Sequence, residues 1–176
     1  MSSHDLAGLL AARIRDVPDF PKPGVIFKDI TPLLDDHVAF AGLVDAVVSH
    51  YGRGEIDKVV GIEARGFLLA APIAYHAGAG MVPVRKQGKL PGATLTSTYA
   101  LEYGTAAVEV HADAFTPGDR VLIVDDVLAT GGTAKATADL VKASGGKVVC
   151  AAFLVELTAL GGRNLLDCPV YSLVRY

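Results

Sequence analysis

Cysteine is scarce in this chain, and long apolar runs are missing. Only Cys150 and Cys168 occur among 176 residues, too few for a disulfide scaffold and without the paired spacing of a zinc site. Both are expected to be buried free thiols. His4, His37, His50, His76 and His111 never fall at the i, i+4 spacing that sets two ligands on one helical face, which argues against a histidine metal centre. Although 51% of the residues are hydrophobic, no run approaches the ~20 apolar residues of a membrane span. The first residues place Asp5, Arg13, Arg15 and Asp16 around a short apolar patch, without the basic start and apolar stretch of a secretory signal, so a cytoplasmic location is expected. A formal charge of −3 gives no broad electropositive surface for nucleic acid. Small molecules are the expected partners.

The length suits one domain over residues 1–176, large enough to bury a sizeable core. Leu6, Leu9, Leu10 and Ile14 recur at helical spacing until Pro18 blocks continuation. Three prolines and a glycine between Pro18 and Gly24 predict a rigid, extended connection that delivers Val25 to Lys28 in a fixed position. Residues 1–35 as a whole are expected to cap the sheet. Periodicity predicts a helix over Phe40 to Tyr51 and another over Phe67 to Ala77. Lys58 to Ile62 and Met81 to Val84 read as buried strands, making one βαβ unit. Val121 to Val124, the helical Ala134 to Ala143 and Val148 to Val155 give a second. Such continuous apolar runs imply an α/β fold whose mainly parallel sheet is covered by helices, with ligands bound beyond the carboxyl ends of its strands. Residues 94–110 mix β-formers with glycine and suit a mobile hairpin flap better than a core strand.

The most informative stretch runs from Val121 to Ala134: an apolar strand, two adjacent carboxylates, then a small-residue loop opening a helix. Ala129, Thr130, Gly131, Gly132 and Thr133 can bring backbone N–H groups and two hydroxyls to one phosphate at the positive end of the helix dipole. Asp125 and Asp126 can accept hydrogen bonds from neighbouring ribose hydroxyls. Together they imply a sugar phosphate. No lysine follows Gly131-Gly132, as a nucleoside triphosphate loop requires, and Pro83 stands where Gly78-Ala-Gly80 would need its third glycine to bind a dinucleotide.

This stretch resembles the signature of the phosphoribosyltransferase family, with its apolar strand, acidic pair and Thr-Gly-Gly-Thr loop. Residues 18–30, Arg85-Lys-Gln-Gly-Lys-Leu-Pro91 and Leu101-Glu-Tyr-Gly104 are similar to the branch that uses adenine. The resemblance implies a type I phosphoribosyltransferase fold with an N-terminal cap and flexible β flap. It implies transfer of the phosphoribosyl group of 5-phosphoribosyl 1-pyrophosphate to adenine, giving AMP and pyrophosphate in purine salvage. By the same resemblance the backbones of Ile26 and Lys28 read adenine while Phe27 and Leu157 sandwich it. Arg65, Lys86 and Lys89 bind pyrophosphate, and Glu102 assists proton transfer. The family often has arginine at Lys28, but a main-chain contact is insensitive to that change. Mg²⁺ is expected to be held mainly through substrate oxygens and water, with no protein ligand assigned, and a homodimer is expected. Two competing readings are a phosphoribosyltransferase for oxopurines, which residues 18–30 argue against, and a non-catalytic sensor of the sugar pyrophosphate, weakened by the lack of an added nucleic-acid-binding domain.

Overall fold

The computed structural model describes residues 3–100 and 105–176. The N-terminal helix α1 spans Ser3–Ala11 and stops short of Ile14, which is nonetheless buried. Two short strands then pair antiparallel, β1 (Arg15–Pro18) with β2 (Ile26–Asp29), in the register Val17 to Phe27. The proline-rich segment is thus the connection of a small ribbon, which holds residues 26–28 more firmly than an extended linker would. Prolines at its turn hide the pairing from sequence patterning.

Two helices follow, α2 (Thr31–Asp35) and α3 (His37–Tyr51). The Asp36 carboxylate accepts from the N–H groups of Val38 and Ala39, satisfying two donors that the first turn of α3 leaves open. Strand β3 spans Lys58–Ile62 as expected, helix α4 spans Arg65–Ala77, and strand β4 spans Gly80–Lys86. Gly78, with φ of 75°, ends α4 in the left-handed conformation that glycine adopts without steric cost.

A hairpin follows, β5 (Thr94–Ala100) with β6 (Thr105–His111); the expected Leu101-Glu-Tyr-Gly104 portion of the flap lies outside the described residues. The base of this hairpin is core. Val108 and Val110 are buried, and β6 joins the main sheet by pairing antiparallel with β4 at Arg85 and Lys86. The glycines beside the segment had masked that pairing.

Strand β7 (Arg120–Leu128), helix α5 (Gly132–Ala143), strand β8 (Lys147–Glu156) and strand β9 (Val170–Arg175) complete the chain, with two short 3-10 turns at Thr158–Leu160 and Gly162–Leu165 between β8 and β9. The seven-stranded sheet has the order β5-β6-β4-β3-β7-β8-β9, parallel from β4 through β9. Strand period two divides the core. Val59 and Leu122 face α1, α3 and α4 with Leu10, Leu43 and Leu69, while Val60 and Ile123 face α5 and the hairpin with Leu140 and Val108. Each such aliphatic side chain, wholly withdrawn from water, contributes about 1.5–3 kcal/mol. No helix among the described residues is long and apolar enough to cross a membrane.

Candidate active site

The carboxyl ends of β4, β3, β7 and β8 open onto a cavity of about 480 Å³, roofed on one side by the β2 ribbon. Ile26, Phe27, Lys28, Arg65, Lys86, Asp125, Asp126, Ala129, Thr133 and Leu157 all contribute to its wall. Residues more than a hundred positions apart therefore converge. A second recess of about 90 Å³ adjoins it, formed by the loop from Ala129 to Thr133 with Phe153 beneath, and the two share Asp125, Val127, Ala129 and Thr133.

The acidic pair lies inside β7, where the sequence pattern had ended the strand at Val124. Pairing with β8 continues through Asp125 with Phe153 and Leu128 with Glu156, because the backbone ladder is indifferent to the polar side chains at its rim. Asp126 is only 4% exposed. Burial pushes its carboxyl above the ordinary range against the opposing pull of Arg65, whose Nε lies 2.8 Å from Asp126 Oδ2. Asp125 is pushed higher still, first by burial and then by the charge of Asp126. Its Oδ1 accepts from the Asp126 N–H at 2.9 Å.

Gly66 explains how α4 approaches so closely. A Cβ there would stand 2.8 Å from Asp125 Oδ1 and 2.9 Å from the Val124 carbonyl oxygen. Arg65, at the first turn of α4, lays its guanidinium over the Phe27 ring at 4.5 Å, and its Nη1 is a buried donor with no protein partner. Such a donor favours an anionic oxygen in the cavity.

Lys86 reaches the cavity, whereas Lys89 is not among the residues lining it. The Lys89 ammonium is bonded to the Glu63 carboxylate, which also accepts from the Lys86 N–H at 2.9 Å and has Arg85 Nε at 3.4 Å. Burial works to raise Glu63, but Lys89, the Lys86 N–H and Arg85 together hold it below its ordinary value. Glu109, 3% exposed on β6, accepts from the N–H groups of Lys89 and Leu90, both at 2.8 Å. Neither Glu63 nor Glu109 was legible as a site residue. Glu63 directly follows the apolar run Lys58 to Ile62, but Glu109 carried no local signal.

Helix α5 begins at Gly132 behind Gly131, whose φ is 84° and which supplies no side-chain cap. The first-turn N–H groups are therefore available to an anion. Thr133 Oγ1 donates to Tyr99 Oη at 3.1 Å, tying this loop to the hairpin. The space in front of Gly131 is taken by protein, however. A Cβ there would come within 2.4 Å of the Gly162 carbonyl oxygen, so this glycine admits a neighbouring backbone segment as well as a ligand.

Lys28 lines the cavity, and its ammonium is engaged by Asp16 and Tyr176. Nζ is 2.6 Å from Asp16 Oδ1 and 3.7 Å from the centre of the Tyr176 ring. Leu157, directly after β8, is fixed by its N–H donating to the Leu128 carbonyl. Cys150 is buried as expected, but Cys168 is partly exposed. Glu102 lies outside the described residues. Among those described, no three of His, Cys, Asp and Glu converge as a metal cage.

Residues 34–170 match the model of the phosphoribosyl transferase domain. The chain is 61% identical over 176 residues to the adenine phosphoribosyltransferase of Acidothermus cellulolyticus, covering 99% of each. It is similar to the crystal structure of adenine phosphoribosyltransferase from Rhodothermus marinus with a TM-score of 0.94 at 52% identity, covering 98% of this chain and 99% of the other. The Saccharomyces cerevisiae enzyme, complexed with an imino-altritol bisphosphate and adenine, matches with a TM-score of 0.92 at 38% identity over 97% of this chain and 99% of its own.

Proposed function

The chain belongs to the phosphoribosyltransferase family, and from that premise we infer that it transfers the phosphoribosyl group of 5-phosphoribosyl 1-pyrophosphate to adenine, giving AMP and pyrophosphate. The observation that carries this reading is the convergence, on one cavity and the recess adjoining it, of β2, the acidic pair, the uncapped start of α5 and Arg65, whose Nη1 has no protein partner. Each fits a different part of one reaction.

Adenine enters between Phe27 and Leu157, whose apolar faces suit a planar purine. The Ile26 carbonyl accepts from N6, and the Lys28 N–H donates to N1. The loop Ala129 to Thr133 receives the 5′-phosphate through backbone N–H groups and the Thr130 and Thr133 hydroxyls. Asp125 and Asp126 accept from the ribose hydroxyls. Burial raises both acids, and hydrogen bonds donated by the sugar hydroxyls would favour their charged forms.

Arg65 and Lys86 face the pyrophosphate and stabilise the charge that develops as it departs. Lys89 acts from behind them: by neutralising Glu63 it keeps that carboxylate from repelling the leaving group. Glu102, on the flap, assists proton transfer on adenine, and closure of residues 94–110 excludes water from the activated sugar. Mg²⁺ is proposed to enter with the substrate, held through its oxygens and water, while Asp126 is engaged by Arg65. When bound there, the ion neutralises diphosphate charge. From the family resemblance we also propose a homodimer, which sedimentation velocity tests.

Chromatographic detection of AMP from adenine, 5-phosphoribosyl 1-pyrophosphate and Mg²⁺ tests the activity. Stoichiometric AMP and pyrophosphate are expected. Binding of the sugar pyrophosphate without turnover would overturn the assignment in favour of a sensor.

A further inference from the structure

The loop between β8 and β9 passes behind the proposed phosphate seat in main-chain contact with it. A Cβ on Gly162 would stand 2.2 Å from the Ala129 carbonyl oxygen and 2.8 Å from the Gly131 nitrogen, just as one on Gly131 would meet Gly162. Neither segment can carry a side chain at this crossing. Gly131 also needs its positive φ, but Gly162 does not, so contact alone decides the residue at 162.

The adjacent residue anchors that loop. Arg163 donates through Nε to Glu156 Oε1 at 2.8 Å and through Nη2 to Glu156 Oε2 at 2.5 Å, a bidentate fork. Its Nη1 donates to the Val170 carbonyl at 2.9 Å, and Nη2 also lies 3.3 Å from Ser172 Oγ. Glu156 is the last residue of β8, 5% exposed and paired in register with Leu128, the last residue before the phosphate loop. A part-buried ion pair is weak evidence for net stability, but its fixed geometry suits positioning.

We propose that Glu156, Arg163 and Gly162 form a backing clamp that holds the loop from Ala129 to Thr133 in the shape that receives the 5′-phosphate. The clamp rests on the reading of that loop given above. Its members are positioning residues: they touch no substrate and act through the backbone of Ala129 and Gly131. Because the contact is main chain against main chain, a small displacement of Gly162 transfers directly to the N–H groups that face the phosphate. Misplacement by about 1 Å can lower catalytic efficiency about a hundredfold.

Steady-state kinetics of Gly162→Ala, Arg163→Ala and Arg163→Lys, with calorimetric AMP binding, test the clamp. Gly162→Ala and Arg163→Ala are expected to raise KM for 5-phosphoribosyl 1-pyrophosphate and Kd for AMP by roughly tenfold or more, within the loss that such misplacement allows, with KM for adenine changing less than about twofold. Arg163→Lys, which keeps the charge and loses the fork, is expected between Arg163→Ala and wild type. General loosening of the fold would instead shift adenine and the sugar pyrophosphate together. Thr130→Ala serves as the loop control. If it weakens AMP binding while Gly162→Ala leaves both constants at wild type, the clamp is wrong and the loop assignment stands. If neither variant affects AMP, the loop assignment fails and the clamp with it.

Discussion

Asp125 carries a conflict between folding and binding that a single substitution can expose. Its folded pKa is raised, so its favourable contribution is fully present below the ordinary 3.8 and is lost as pH rises through the raised value. Asp125→Asn should therefore raise the Tm of the unliganded protein at pH 7.5 while weakening use of the sugar pyrophosphate. The lost charged acceptor accounts for about 1.5–3 kcal/mol, or roughly tenfold to a hundredfold in kcat/KM. Thermal melts and kinetics on the same preparation check both halves, and a Tm that stays constant across pH in both proteins would remove the conflict. Lys28 gives a second expectation at this scale. Its side chain tethers the β2 ribbon to Asp16 and Tyr176, so Lys28→Ala should raise KM for adenine by roughly fivefold, the loss of about 1 kcal/mol of ion pairing and ring contact, without changing which base is preferred. A lost preference would show that the side chain itself reads the base. The acidic pair and phosphate loop were legible as a contiguous run. Gly162 was not, because its constraint comes from Ala129 and Gly131, distant in sequence, and leaves no local pattern.

Helix α4 and strand β7 meet at the site through Gly66, and the fit between these elements can be tested there. Gly66→Ala improves local helix propensity, yet its new Cβ would press on Asp125 Oδ1 and the Val124 carbonyl. The expected result is an approximately tenfold or greater fall in kcat/KM for the sugar pyrophosphate, following the sensitivity of catalysis to small displacements. Unchanged kinetics in a folded Gly66→Ala protein would mean that α4 can withdraw without disturbing the acidic pair. Elements with a clean period were read well: β3 coincided with its apolar run, and α3, α4 and α5 were placed with ends off by a few residues. The β1–β2 ribbon was missed because its prolines suppress strand patterning, and β9 because Val170 to Arg175 is too short and mixed in polarity to announce itself. Polar residues at Asp125 and Asp126 likewise concealed the true end of β7.

For the whole molecule, acid stability depends on carboxylates held by cations and hydroxyls at separate seams. Thr31 hydrogen bonds, then Arg15, bring Asp29 to about 2; Arg120 does the same for Asp57, and Arg163 for Glu156. These folded values are depressed, so their contributions are present above the ordinary 3.8 to 4.5 and are lost as pH falls toward about 2. Urea unfolding at pH 7, 4.5 and 3 should show the midpoint falling mainly between the last two; a midpoint independent of pH would contradict the assignment. The central claim concerns which base this architecture accepts. Adenine offers a donor at N6 and an acceptor at N1, matching the roles proposed for the Ile26 carbonyl and the Lys28 N–H, whereas hypoxanthine and guanine reverse both. Unpaired buried polar groups of this kind discriminate by on the order of 10⁴. The direct measurement is kcat/KM for adenine, hypoxanthine and guanine at saturating 5-phosphoribosyl 1-pyrophosphate and Mg²⁺, followed by pyrophosphate release. Adenine should exceed both oxopurines by about that factor, and comparable efficiency with either oxopurine would contradict the account.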